Sequence, residues 1–99
     1  MKPNDRVLLE RAVEVARTSR DDGNHPFGAV LGSADGENLL EAGNSVVTER
    51  DVTGHAELNL VRLAGQRFTP EAHAQSTLYS STEPCAMCAG GIYWSGIGR

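Results

Sequence analysis

Leu8, Leu9, Ala12, Val13, Val15 and Ala16 recur at helical spacing, with charged residues filling the other side. That spacing predicts an amphipathic helix from Asp5 to about Arg20. Asn4 or Asp5 serves as its cap, and Gly23 lies just past its end. The apolar run then changes period. Phe27 to Leu31, directly after Pro26, reads as a short strand, and Asp35-Gly36 as a turn. Leu39 to about Val47 reads as a second strand antiparallel to the first, with Gly43 as a bend or bulge. Helical spacing returns at Leu58, Leu60, Val61 and Leu63, in a helix opened by Thr53 and Gly54, capped by Thr53 and ended by Gly65. Gln66 to Ser76 is polar and reads as a connection, followed by a third strand, Thr77 to Ser80. Glu83-Pro84 opens a third helix from about Cys85 to Trp94. Strands and helices alternate after the first hairpin, which predicts an α/β layer fold. Ile97-Gly98-Arg99 reads as the start of a fourth strand.

The 99 residues allow one small domain. A chain of this size buries roughly 60–70% of its unfolded surface, so a bound metal would add materially to its stability. The formal charge is −4 and no Lys/Arg run occurs, which argues against a large nucleic-acid face. No apolar leader and no bilayer-length apolar span are present, so a cytoplasmic location with reduced thiols is the expectation, with no membrane partner.

Both cysteines fall in one segment, Pro84-Cys85-Ala86-Met87-Cys88, and upstream lies His55-Ala56-Glu57. By itself the Cys-x-x-Cys reads more readily as a redox dithiol, or as a helical turn that happens to hold two cysteines, than as a metal site. With His55 it makes three zinc ligands, which leave a tetrahedral zinc one open position for water. Cys85 and Cys88 share a helix face at its first turn, where unpaired N–H groups favour thiolate. Glu57 is not needed to hold the metal and is a candidate proton carrier. A structural site completed by His73 is the competing reading of the same ligands. His25 and His73 otherwise read as ordinary loop residues.

H-x-E followed by P-C-x-x-C is the pattern of the zinc nucleobase deaminases. With Pro26-Phe27-Gly28-Ala29-Val30, Asn44, Asp51 to Glu57 and Thr82 to Gly90, the chain resembles the cytidine and purine deaminase superfamily from about residue 7 to Arg99. Within it, the chain is similar to the branch of bacterial guanine deaminases and tRNA adenosine deaminases. Phe27 and Ile92-Tyr93-Trp94 lean toward the guanine enzymes, while Ser95 to Arg99 is nearer the tRNA enzymes.

The resemblance implies a three-layer α/β/α fold and Zn2+ held by His55, Cys85 and Cys88, with Glu57 catalytic. It also implies Asn44 on the base edge, the Ala56 N–H at a base carbonyl or the attacked centre, Trp94 stacked on the base, and a homodimer. The activity it implies is guanine deamination, with tRNA adenosine or cytosine and cytidine as alternatives. A zinc-stabilised inactive fragment or binding module is the alternative outside enzymology. Family members continue beyond the position of Arg99. Residues 1–99 are therefore expected to be the N-terminal part of a CMP/dCMP-type zinc deaminase domain, truncated after the third helix. An exposed third-strand edge would then leave the chain poorly soluble or oligomeric.

Overall fold

The computed structural model describes residues 4–99. The predicted first helix is α1, Asp5–Asp21. It turns Leu8, Ala12, Ala16 and Ser19 inward, a three-to-four-residue spacing that follows from helical geometry. Strands β1 (Gly28–Gly32) and β2 (Asn38–Gly43) form the expected hairpin, pairing Ala29 with Ala42 and Leu31 with Leu40. The turn between them carries Gly36 at φ +85°, a conformation that favours glycine.

The helix expected from Thr53 is α3, Ala56–Arg67; β3 spans Thr77–Ser80; α5 spans Ala86–Ser95. Two short helices join them, α2 (Val46–Glu49) and α4 (Pro70–Gln75). The sheet order is β2-β1-β3, with both outer strands antiparallel to β1.

Every residue of β1 is buried, as expected of a central strand covered on both faces. Alternation then divides the core. Val30 packs with Leu8, Ala12 and Tyr79 under α1. Ala29 and Leu31 pack with Leu40, Ala56, Leu60 and Ala64 under α3. This is the expected three-layer arrangement, α1 on one face of the sheet and α3 with α5 on the other. Glycine sets the closeness of the α1 layer. A Cβ on Gly28 would come 2.6 Å from the backbone nitrogen of Ala16, and one on Gly43 would overlap the Ser19 hydroxyl. Gly43 is therefore a contact position in regular register with Gly28. The irregularity in the hairpin falls between Leu31 and Gly32 instead.

Four further expectations need correcting. The second strand stops at Gly43. There Asn44 Oδ1 accepts from Val46 N at 3.0 Å and starts α2, so Val46 and Val47 are helical. The segment Gln66–Ser76 is not all connection, because Thr69 Oγ1 accepts from Ala72 N at 3.2 Å and Pro70 takes the first helical position of α4. Gly65 lies inside α3, which runs on to Arg67. Residues 97–99 form no strand. Leu78 N does donate to Arg99 O at 3.3 Å, and Arg99 Nη2 donates to Asp5 Oδ1, which also accepts from the Tyr79 hydroxyl. Burial is the main cause that raises the Tyr79 phenol above its ordinary value, and its bond to Asp5 adds to this. No helix among the described residues is long and apolar enough to cross a membrane.

Candidate metal centre and active site

The α3 and α5 N-termini meet at one end of this layer. His55 is the N-cap of α3 and Cys85 the N-cap of α5, both with extended backbone, and Cys88 lies in the first turn of α5. These positions are one step earlier than the sequence suggests. Thr53 is not the cap. Its N–H and hydroxyl both donate to Asp51 Oδ1, at 2.9 and 2.6 Å, and shape the loop that delivers His55. The Thr53 hydroxyl bond holds the Asp51 carboxyl below its ordinary range.

His55 Nδ1 lies 3.4 Å from Cys85 Sγ and 3.5 Å from Cys88 Sγ, and the three atoms fall within 4.8 Å of one another. A tetrahedral zinc with Zn–S of ~2.3 Å and Zn–N of ~2.0–2.1 Å separates a sulfur and a nitrogen ligand by ~3.5 Å. The side chains therefore already stand at the spacing zinc needs. Electrostatics agree. The Cys88 backbone N–H, donated in the first turn of α5, lowers the Cys85 thiol. Burial pushes the Cys88 thiol up to about 12, and the negative charge of Glu57 adds to that. Zinc binds the thiolate form, so a cation placed here would supply the positive charge that lets Cys88 ionise beside Cys85 and Glu57.

Glu57 is only 6% exposed. It shares a cavity with Phe27, His55, Thr82, Glu83 and Cys85, makes no hydrogen bond among the described residues, and lies outside the three-residue ligand group. A buried carboxylate that faces a cavity beside the ligand group is a candidate acid–base group for what enters it. Ala56 is fully buried as the first residue of α3, and its N–H is one of the first-turn donors a helix leaves unpaired. Phe27 stands half-exposed at the cavity.

Three candidates are placed differently. Asn44 is buried at the end of β2, and its side-chain carbonyl is occupied by Val46 N, so only its amide group is left for a ligand. Trp94 is 84% exposed and lines a separate groove between α3 and α5 with Thr53, Leu58 and Gly91. Six positions beyond Cys88, it is turned ~240° round the helix from the ligand face. His73 is buried elsewhere, its ring nitrogens on the carbonyls of Ser95 and Ala64, and so is no fourth ligand. His25 is exposed in the loop before β1.

The sequence reading missed Asn59. Its amide donates to Gly43 O at 2.9 Å, Ser45 Oγ at 3.0 Å and Gly54 O at 3.4 Å, and its carbonyl accepts from Arg62 at 3.1 Å. It joins the end of β2, where Asn44 sits, to the loop before His55. The available signal was a polar residue on the inward face of a helix, between Ala56 and Leu60. Removing it leaves buried carbonyls unpaired. We expect Asn59→Ala to cost about 1–3 kcal/mol of stability in urea denaturation.

The sequence profile of the cytidine and deoxycytidylate deaminase zinc-binding region matches residues 2–99. The chain belongs to this family. A probable cytosine deaminase of Schizosaccharomyces pombe is 42% identical over 99 residues, 100% of this chain and 59% of the relative. The guanine deaminase of Bacillus subtilis is 40% identical over 93 residues, 93% of this chain and 59% of that protein. An X-ray structure of guanine deaminase from Bacillus subtilis superposes with a TM-score of 0.80 at 39% identity, over 96% of this chain and 59% of that one. A tRNA-specific adenosine deaminase of Buchnera aphidicola is 36% identical over 101 residues, 100% of this chain and 66% of the relative. The first two relatives are thus matched over 59% of their own length. The fold is cytidine-deaminase-like, and within this deaminase zinc-binding region His55, Cys85 and Cys88 form a group that could hold a metal ion.

Proposed function

We propose that this zinc-binding region catalyses the hydrolytic deamination of a purine base, guanine to xanthine and ammonia, with His55, Cys85 and Cys88 as ligands and Glu57 as the proton carrier. The observation that carries the reading is Glu57. A zinc site that only stabilises a fold closes its coordination with four protein ligands and has no use for a buried, unbonded carboxylate beside them.

Zinc, when bound, supplies a water that ionises near neutral pH. Glu57 accepts that water's proton and passes it to the ring nitrogen beside the amino-bearing carbon. The water's oxygen would bond to the amino-bearing carbon, and as the C–N bond breaks Glu57 would carry that oxygen's remaining proton to the amino group, which leaves as ammonia. The Ala56 N–H is placed to donate to an oxygen on or beside the attacked carbon. The Asn44 amide group donates to the base edge, and Phe27 offers an apolar wall. A cytoplasmic location, where thiols stay reduced and free for metal, accompanies this reading.

Guanine is favoured by Phe27 at the cavity and by the guanine deaminases among the relatives and superposed structures. A tRNA substrate is disfavoured by 9 basic against 13 acidic residues, because phosphate backbones bind to basic faces. The test is ammonia release by the zinc-loaded protein from guanine, cytosine, cytidine and an adenosine-bearing anticodon stem-loop. Release from guanine alone is expected. Release from cytosine or the stem-loop instead would replace the substrate and keep the chemistry. Silence on all four with zinc bound would leave a binding module. Asn44→Ala is expected to lower kcat/KM for guanine by about 10–100-fold, since truncation removes a donor that the base edge requires. An unchanged preference across the panel would remove Asn44 from the site.

A homodimer belongs to the same proposal. Val52, Tyr93 and Trp94 are large, strongly exposed apolar side chains, and Trp94 lines one groove with Thr53, next to Val52. A second copy covering them would give Trp94 a role at the interface rather than over the base within its own chain. Light scattering at twice the mass of 10.6 kDa is expected, and a monomer at assay concentration would contradict it.

A further inference from the structure

We infer that His73 is a positioning residue for the metal centre, clamping the far ends of the two helices whose near ends carry the ligands. The inference rests on the metal reading above and concerns a side chain outside the ligand group. His73, in α4, is 5% exposed. Its Nδ1 lies 2.8 Å from Ser95 O and its Nε2 2.9 Å from Ala64 O. Ser95 is the last residue of α5, and Ala64 lies in the last turn of α3. His55 and Cys85 are the N-caps at the opposite ends of those helices.

At ~1.5 Å per residue, the clamp stands ~14 Å along α3 from His55 and ~15 Å along α5 from Cys85. The two helices are thus struts of nearly equal length, tied at both ends. Between the ties they touch closely, because a Cβ on Gly91 of α5 would come 2.5 Å from Leu58 Cδ2 of α3. That contact lies between the two ties on both helices and couples them. Movement at the His73 end is returned as movement at the ligand end, where distances within ~0.2 Å of ideal decide whether a metal is well held.

The chemistry suits a clamp. Both partners are carbonyl oxygens, which only accept, so the ring donates from the nitrogen that carries its proton and packs its other nitrogen against the second carbonyl. The backbone of His73 holds the next segment as well, its carbonyl accepting from Gly98 N at 3.0 Å.

The experiment is zinc affinity by competition with a chromophoric chelator, together with the visible spectrum of the cobalt(II)-loaded protein, for His73→Leu, His73→Gln and His73→Asn. Leu8→Ala, under α1 on the opposite face of the sheet, is the destabilised control. His73→Leu fills the space without donors. It is expected to bind zinc about tenfold more weakly, the low end of what outer partners of metal ligands are worth, and to alter the cobalt bands. His73→Gln keeps two amide hydrogens and is expected to restore affinity to within about threefold, whereas Leu8→Ala loses stability with its metal spectrum unchanged. Wild-type affinity and spectrum in His73→Leu would overturn the proposal. So would a loss matched by Leu8→Ala. Should His73→Leu not fold, the comparison passes to Gln against the shorter Asn, and equal affinities there would overturn it. If the wild-type protein itself showed no thiolate–cobalt bands, the metal reading would fail and the clamp with it. Normal wild-type binding with an unaffected His73→Leu would remove the clamp alone.

Discussion

Glu57→Gln is expected to keep zinc at full occupancy and to lower kcat by ~10²–10⁴, the usual worth of a positioned acid–base group. Glutamine has the same shape, so the buried side chain still fills its place beside His55 and Cys85. What it loses is the ability to take and return a proton. Affinity for the metal should hold or rise slightly, because the negative charge that opposes ionisation of both thiols is gone. Steady-state ammonia release with metal analysis of the same sample makes the measurement. A fall of only severalfold would make Glu57 a residue that shapes the cavity, and loss of zinc would make it part of the metal's own binding.

Cys88→Ala carries the other large effect. Cys88 is fully buried, in the first turn of α5 and 3.5 Å from His55 Nδ1. Removing its sulfur takes away a ligand rather than a neighbour of one. Zinc affinity should therefore fall by more than the ~10²-fold that outer partners of ligands are worth. Activity should go with it. In the wild-type protein, zinc at one hundred times its dissociation constant adds about 2.7 kcal/mol of stability, which raises the melting temperature. Cys88→Ala should melt at the same temperature with or without zinc. A melting temperature that still rises normally with zinc would show that the metal is held elsewhere.

The ligand set was legible because its spacing is short-range. His-x-Glu and Pro-Cys-x-x-Cys each lie at a helix start, where the cap fixes the direction of the side chain, and Pro84 and the turn at Thr53-Gly54 mark those starts in the sequence. The layers were legible for a similar reason. Leu8, Ala12 and Ala16 give the inner face of α1 by period alone, and the unbroken apolar run of β1 requires cover on both sides.

What was not legible depended on side chains bonding to backbone at a distance. Val46-Val47 has strand character, but the Asn44 carbonyl bends the chain into α2. Thr69-Pro70 carried a helix-start signal hidden by the polarity around it. Gly65 resembled a helix stop, yet α3 passes through it, and its φ is not positive as that of a helix-ending glycine such as Gly96 is. Asn59 was read past, and His73 was weighed only as a fourth ligand or an ordinary connection residue, because each makes its bonds to segments that only the fold brings near. Trp94 was assigned to the base by resemblance, and within the chain its helix turns it to another face.

Zinc K-edge absorption of the zinc-loaded, substrate-free protein tests the central claim most directly. The account predicts two sulfur scatterers at ~2.3 Å, one imidazole nitrogen at ~2.0–2.1 Å and one further light atom without the multiple-scattering pattern of a second imidazole. That shell is a site with three protein ligands and one open position. A second imidazole, fewer than two sulfurs, or a shell closed by four protein ligands would contradict it.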